Sequence, residues 1–179
     1  MKILSIVDKG FEELEYMGTF DLARRANIEV DLYSITGDAV EAQYGNVFAV
    51  KGSIDDIGDF DQYDCLFIPG GMHITNSLRN RDDILAIINE FNNQGKLLAC
   101  ICAAPLLLND AGLLTSGSYT MYYPMAEECG ATLTQNKVEI NGNIITGCSV
   151  AATLDFGLAV CEYLIGAELY QDLEDEILL

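Results

Sequence analysis

The chain has 179 residues, of which 50% are hydrophobic, and a formal net charge of −19 from 28 acidic and 9 basic residues. This length and composition predict one domain over residues 1–179, with a single sizeable core. The acidic surface repels phosphate backbones and anionic membranes, so we expect neither a nucleic-acid partner nor a membrane partner.

Segments of strand type alternate with segments of helical type along the chain. The predicted strands cover 2–7, 28–35, 47–50, 64–68 and 96–101, and a hairpin of 137–140 with 143–146 follows. The predicted helices cover 11–26, 82–91, 105–111, 151–165 and 169–179. This alternation predicts an α/β fold, with a mostly parallel sheet and helices on both faces.

The N-terminal segment is too short for a signal peptide, and the longest nearly unbroken apolar run, 97–108, is too short to span a bilayer. We therefore expect a soluble cytoplasmic protein whose six cysteines are free thiols. The cysteines lack metal-ligand spacing, and His73 is the only histidine, so we expect no metal site.

The segment that ends in Cys102 carries the strongest functional signal. A buried strand stops at this cysteine, and the small residues Ala103 and Ala104 precede Pro105, which suits the first turn of a helix. A cysteine on such a turn is a nucleophile elbow, where backbone amides and the helix dipole favour the thiolate. The alternative is a cysteine that only fills the core.

Three acidic residues follow the first strand and reach the same edge of the sheet as Cys102. These residues are Glu12, Glu13 and Glu15. The predicted strand 64–68 also ends at that edge, in the turn Pro69-Gly70-Gly71. Ligands bind beyond the carboxyl ends of parallel strands, so these three segments predict one site. The residues alone do not select one of the three acids as the partner of the cysteine.

Five segments, in this order, resemble motifs of the ThiJ/PfpI superfamily, in particular the branch of the human parkinsonism-associated protein. They are Lys-Gly-Phe-Glu-Glu-Leu-Glu (9–15), Asp-Leu-Ala-Arg-Arg-Ala (21–26), Ile-Pro-Gly-Gly (68–71), Ile-Cys-Ala-Ala-Pro (101–105) and Asp-Phe-Gly-Leu-Ala (155–159). The resemblance implies a flavodoxin-like three-layer sandwich that forms a homodimer and uses no cofactor. Partly apolar residues on the first helix, Tyr16, Met17 and Phe20, support the dimer.

The resemblance also implies a role for each residue of the site. Cys102 is the nucleophile and redox centre, and Glu15 is the carboxyl that hydrogen-bonds its sulfur. The backbone amides of Gly71 and Ala103 face the same site and stabilise an oxyanion. A carboxyl held against a thiolate has a raised pKa and can relay protons.

The chain departs from this family pattern at several positions. Tyr123 replaces a histidine that precedes proline, while Cys148 and Tyr44 each replace an arginine. His73 could reach the site from another direction, but we favour an ordinary loop histidine. Cys148 is either a resolving thiol for oxidised Cys102 or, as we favour, a packed small residue.

Two functions follow from the resemblance and these departures. The first is a glyoxalase- or deglycase-type enzyme that acts on a small aldehyde or a glycated substrate, with low activity because Tyr123 is a poor base. The second is a non-enzymatic redox sensor or protective protein in which Cys102 is oxidised to the sulfinic acid.

Overall fold

Eight strands occur in the computed structural model, which describes residues 1–179. They are β1 (Lys2–Val7), β2 (Glu29–Ser34), β3 (Val40–Glu41), β4 (Val47–Phe48), β5 (Cys65–Ile68), β6 (Leu97–Ile101), β7 (Val138–Asn141) and β8 (Ile144–Gly147). Six of them form the central sheet in the order β2-β1-β5-β6-β8-β7, whereas β3 and β4 pair separately. Within the central sheet only the β7–β8 hairpin is antiparallel.

Five α-helices cover the sheet. They are α1 (Glu13–Arg25), α2 (Met72–Arg79), α3 (Asp82–Asn93), α4 (Pro105–Asp110) and α5 (Thr153–Ile177), and short 3-10 turns occupy Ile54–Asp56, Tyr123–Glu128 and Val150–Ala152. Helix α1 packs against α5, while α2, α3 and α4 contact one another. The helices therefore lie on both faces of the sheet, which confirms the predicted flavodoxin-like fold.

The central strands β5 and β6 are buried at every position. Their sequences, Cys-Leu-Phe-Ile and Leu-Leu-Ala-Cys-Ile, have no polar alternation because helices cover both of their faces. One continuous core joins these strands to the apolar faces of the helices. The predicted hairpin around Asn141-Gly142 is confirmed, with Gly142 at φ 61° in its turn.

Several local predictions differ from the structure. Helix α2 begins directly after Gly71, so His73 lies on a helix and not in a loop. Tyr16, predicted to be on the surface of the first helix, is buried in the core, stacked on Phe67. The two predicted C-terminal helices form α5, which is interrupted at Gly166 by a non-helical backbone with φ 78°.

Helix α5 is also the part of the chain that resembles a membrane span. The segment Val150–Ile177 is long and apolar enough to cross a bilayer, judged by length and composition alone. In the structure Phe156, Val160 and Cys161 are fully buried against the rest of the domain. Its apolar residues are therefore those of a core helix.

Candidate active site

The carboxyl ends of β1, β5 and β6 lie side by side in the sheet. The segment leading into α1 follows β1, Pro69-Gly70-Gly71 follows β5, and Cys102 follows β6. Because parallel strands end at the same edge, these three segments meet, and the structure brings Cys102, Glu15, Gly71 and Ala103 together.

Cys102 occupies a sharp turn between β6 and α4. Its φ of 62° lies in the left-handed region, which a residue with a Cβ rarely adopts. Two hydrogen bonds hold this conformation: the Cys102 N–H donates to the Gly147 carbonyl at 2.8 Å, and the Tyr122 N–H donates to the Cys102 carbonyl at 2.7 Å. The strained turn, next to the fully buried Ala103 and Ala104, has the geometry of a nucleophile elbow.

Glu15 lies on the first turn of α1, and its side chain is buried with 0% exposure. The Gly70 N–H donates to its Oε2 at 2.7 Å, while Oε1 has no hydrogen-bond partner and the carboxyl faces the Cys102 thiol. Burial raises the pKa of Glu15 from its ordinary value of 4.5 to about 7, although the Gly70 amide opposes this shift. Near neutral pH the carboxyl can therefore both hold and release a proton.

The sulfur of Cys102 faces the backbone amides of Gly71 and Ala103, neither of which donates to a backbone carbonyl. These amides lower the pKa of the Cys102 thiol, but burial and the adjacent Glu15 raise it by more. The expected net preference for thiolate is thus wrong, chiefly because of burial. Protonation of Glu15 removes only the part of the shift that comes from repulsion between the two groups.

The Pro-Gly-Gly turn provides close approach between the three strand ends. A Cβ at Gly70 would lie 2.5 Å from the Cys102 Cβ and 2.6 Å from Glu15 Oε2, so this position accepts only glycine without rearrangement. Gly71 has φ 114°, which directs its amide toward the sulfur before α2 begins. Gly70 therefore allows the Glu15 carboxyl to approach Cys102, and Gly71 orients one of the two amides that face the sulfur.

The two acids before Glu15 hold the surrounding backbone. Glu12 caps α1, because its Oε2 accepts from the Glu15 N–H at 2.7 Å. Glu13 is buried and accepts from the Tyr44 N–H at 3.2 Å and from Asn46 Nδ2 at 2.9 Å. Burial, with a contribution from the Glu13 charge, raises the pKa of Glu12.

A cavity of about 190 Å³ opens over the sulfur. Its lining consists of the capping acid, parts of four loops and the start of α2: Glu12, Gln43, Tyr44, Gly71, Met72, Cys102, Tyr122, Ser149 and Val150. This volume is below the range of about 300–1,000 Å³ that is usual for drug-sized ligands, so the cavity suits a small molecule.

The remaining predicted site residues are distributed over three cavities. Tyr44 lines the Cys102 cavity, whereas Tyr123 and Cys148 line a neighbouring cavity of about 430 Å³. His73 lines a third cavity, of about 370 Å³, which adjoins the Cys102 cavity at Gln43 and Met72 but is not lined by Cys102. Tyr122, and not Tyr123, borders the cavity over the sulfur. Tyr122 is held there by the hydrogen bond from its N–H to the Cys102 carbonyl, a contact that the sequence does not predict.

No group of three or more His, Cys, Asp or Glu side chains is arranged to hold a metal ion. The chemical groups that meet at the candidate site are a thiol, a carboxyl with a pKa near neutrality and two backbone amides.

The model of the DJ-1/PfpI family matches residues 1–163 of this chain. The chain belongs to the DJ-1/PfpI family. Protein DJ-1 homolog B of Arabidopsis thaliana is 29% identical over 171 residues, which are 93% of this chain and 39% of that protein. The Parkinson disease protein 7 homolog of Danio rerio is 25% identical over 183 residues, 99% of this chain and 97% of that protein.

Two solved structures of DJ-1 proteins are similar along almost the whole length. Drosophila melanogaster DJ-1beta superposes with a TM-score of 0.92 at 27% identity, over 99% of this chain and 97% of that one. Oxidised Toxoplasma gondii DJ-1 gives a TM-score of 0.91 at 28% identity, with the same coverage. This chain spans only about two fifths of the length of the Arabidopsis relative, in contrast to its near-complete match with the others.

Proposed function

We propose that this protein is a cysteine-dependent, cofactor-free enzyme that acts on small reactive carbonyl compounds. The observation that carries the proposal is the pairing of Cys102, on its strained elbow, with the buried Glu15 carboxyl under two free amides. The reaction is conversion of methylglyoxal to lactate, or the related deglycation of thiols and amines. Family membership and a cavity of about 190 Å³ support a small substrate.

In the proposed reaction the Glu15 carboxylate takes the thiol proton as Cys102 Sγ bonds to the aldehyde carbon. The resulting oxyanion accepts hydrogen bonds from the Gly71 and Ala103 amides, and protonation gives a hemithioacetal. Glu15 then moves the proton of that carbon to the neighbouring carbonyl carbon, while the hydroxyl proton of the hemithioacetal passes to the oxygen of that carbonyl. The first carbon is thereby oxidised to a thioester, and the second is reduced to an alcohol. Water hydrolyses the thioester formed, which releases lactate and restores the thiol.

Turnover of methylglyoxal should depend on the sulfur of Cys102. Cys102→Ser should lose all turnover above background, because a serine hydroxyl with no adjacent strong base is a poor nucleophile. Lactate formation measured beside the wild type tests this, with Cys129→Ser as a matched control at another half-buried cysteine. Wild-type turnover no higher than that of Cys102→Ser would contradict the proposal. Because Tyr123 stands where the family branch has a histidine, we expect low wild-type turnover.

The second candidate function is redox sensing or protection through Cys102. The amides that stabilise an oxyanion would equally stabilise a sulfinate, and a protonated Glu15 would donate to it. The solved Toxoplasma gondii relative is an oxidised form, which favours this candidate. All six cysteines are free thiols.

Peroxide should oxidise Cys102 before the other cysteines. Cys65, Cys100 and Cys161 are buried, and the half-buried Cys129 and Cys148 contact the side chains of Asn109 and Ser149. Only the sulfur of Cys102 faces the Gly71 and Ala103 amides, which stabilise its oxidised, anionic form. Mass mapping of peptides after graded peroxide treatment measures the order. Earlier oxidation at any of the other five positions would contradict both the redox function and the assigned nucleophile.

We also propose that two copies of this chain form a homodimer through the surface around α1. Leu14 and Met17 are 56% and 40% exposed on this helix, and Leu154 on the adjoining α5 is 62% exposed. Association would bury this apolar surface. Light scattering at micromolar concentration should give twice the mass of the 19.6 kDa chain, and a monomeric mass would contradict the proposal.

A further inference from the structure

The cavity over Cys102 has a pronounced asymmetry of charge. Glu12 is its only lining residue with a charged side chain, apart from the reactive thiol itself, and the Glu15 carboxyl lies beneath the sulfur. None of the nine lysines and arginines of the chain lines this cavity. The base in the adjoining cavity, Lys9, has its Nζ 3.8 Å from Glu41 Oε2 and is thus already next to an acid.

The orientation of Glu12 is fixed by the fold. Its Oε2 accepts from the Glu15 N–H at 2.7 Å, and its own N–H donates to the Gly70 carbonyl at 2.9 Å. The carboxylate is therefore held at the start of α1, on the wall of the cavity. A ligand that reaches the sulfur must pass this negative charge, and no lining cation of the same chain compensates it.

The backbone amides do not remove this asymmetry. The Gly71 and Ala103 amides both face the sulfur, where they serve the oxyanion that forms from the attacked carbonyl. A second negative charge, carried elsewhere on the substrate, would meet the Glu12 carboxylate and, besides it, only the neutral polar groups of Gln43, Ser149 and the two tyrosines. Such a charge would lose hydration without gaining a cationic partner.

We propose that Glu12 is a specificity-determining residue, which restricts the cavity of Cys102 to uncharged or cationic carbonyl compounds and excludes carboxylate- or phosphate-bearing ones. The proposal deepens the function proposed above and rests on it for the identity of the reaction. The charge selectivity can be measured independently of the reaction, since it concerns which molecules reach the sulfur. Any reagent that marks Cys102 can report it, whether or not turnover follows.

Alkylation with iodoacetamide and iodoacetate provides this measurement. In both reactions a bond forms between Cys102 Sγ and the CH₂ carbon, while the carbon–iodine bond breaks and iodide leaves. The first reagent is neutral and the second carries a carboxylate. Mass mapping gives the rate at Cys102 itself, and 2-mercaptoethanol provides the intrinsic rate ratio of the two reagents.

At low ionic strength the ratio of the iodoacetate to the iodoacetamide rate at Cys102 should be about tenfold lower than at 2-mercaptoethanol. Glu12→Gln keeps the capping oxygen and removes the charge, and it should raise the ratio by about threefold. Glu168→Gln removes one exposed charge from α5, far from the cavity in the fold, and should leave the ratio unchanged. An equal ratio in wild type and Glu12→Gln would overturn the proposal.

Turnover separates this proposal from the function on which it rests. 4,5-Dioxopentanoate carries the same 2-oxoaldehyde group as methylglyoxal and, in addition, a carboxylate, so it should be converted much more slowly than methylglyoxal, and Glu12→Gln should narrow the difference. If methylglyoxal is not converted but Cys102 still discriminates against iodoacetate through Glu12, the proposed reaction fails and the charge selectivity stands. If 4,5-dioxopentanoate and methylglyoxal are converted equally well, the selectivity fails while the proposed reaction stands.

Discussion

Replacement of Glu15 by glutamine should lower methylglyoxal turnover by about 10²–10⁴-fold, the usual contribution of a positioned general base. Glutamine retains an oxygen that can accept from the Gly70 N–H, so the geometry of the turn is preserved. It cannot take the thiol proton or move protons between carbons. For the wild type, the rate should rise with pH through about 7 as the carboxylate forms, and Glu15→Gln should lose this rise.

The same variant has a second readout that does not depend on catalysis. The pKa of Glu15 is about 7 in the folded protein against an ordinary 4.5, so folding favours its protonated form. Its contribution to stability is full below pH 4.5, declines as pH rises and is lost above about 7. Relative to the wild type, Glu15→Gln should therefore gain about 3 kcal/mol in free energy of unfolding between pH 4 and pH 8.

Denaturant titrations at the two pH values measure this difference, and Glu168→Gln is the matched control at an exposed position. A gain that does not depend on pH would contradict the buried, protonatable carboxyl. Unchanged turnover in Glu15→Gln would contradict the catalytic role even if the stability result holds. The two readouts thus separate the environment of the carboxyl from its function.

The elements that the sequence predicts well are those with strong local patterns. The β6 strand is uniformly apolar, and the residues after Cys102 are small or suited to a helix start, so strand, turn and helix follow from short-range preferences. Helix α2 lacks such a pattern: it has only eight residues, mostly polar, and the preceding Pro-Gly-Gly sequence favours a turn. Tertiary packing decides its conformation, and with it the position of His73.

The parts of the site that the sequence could not provide depend on contacts between distant segments. Glu13 binds the backbone of Tyr44, 31 positions away, and this contact makes Tyr44 a wall of the cavity. The raised pKa of Cys102 comes from burial, which exists only once the loops meet. A strand-to-helix turn in the sequence predicts that backbone amides lower the pKa of the thiol, but it does not predict the larger increase in pKa that burial causes.

Substitution of Gly70 by alanine should impair both folding and catalysis. The added Cβ would lie 2.5 Å from the Cys102 Cβ, 2.6 Å from Glu15 Oε2 and 2.9 Å from the Ile101 carbonyl oxygen. These neighbours belong to buried, hydrogen-bonded segments, so the clash should cost about 1–3 kcal/mol of unfolding free energy. Displacement of the carboxyl from the sulfur by about 1 Å should lower turnover by about 10²-fold.

Gly58→Ala is the matched control for this prediction. Gly58 does not have a positive φ, and a Cβ there would have no neighbour within 4 Å, so the unfolding free energy should change by less than about 0.5 kcal/mol. Chemical denaturation and methylglyoxal turnover are measured on both variants. The comparison shows the effect of a glycine-to-alanine substitution where the added Cβ clashes and where it does not. If Gly70→Ala behaves like Gly58→Ala, Glu15 and Cys102 are not held together by the close approach of the Pro-Gly-Gly turn. If stability falls but the turnover of the folded fraction is unchanged, Gly70 supports the fold without setting the geometry of the catalytic pair.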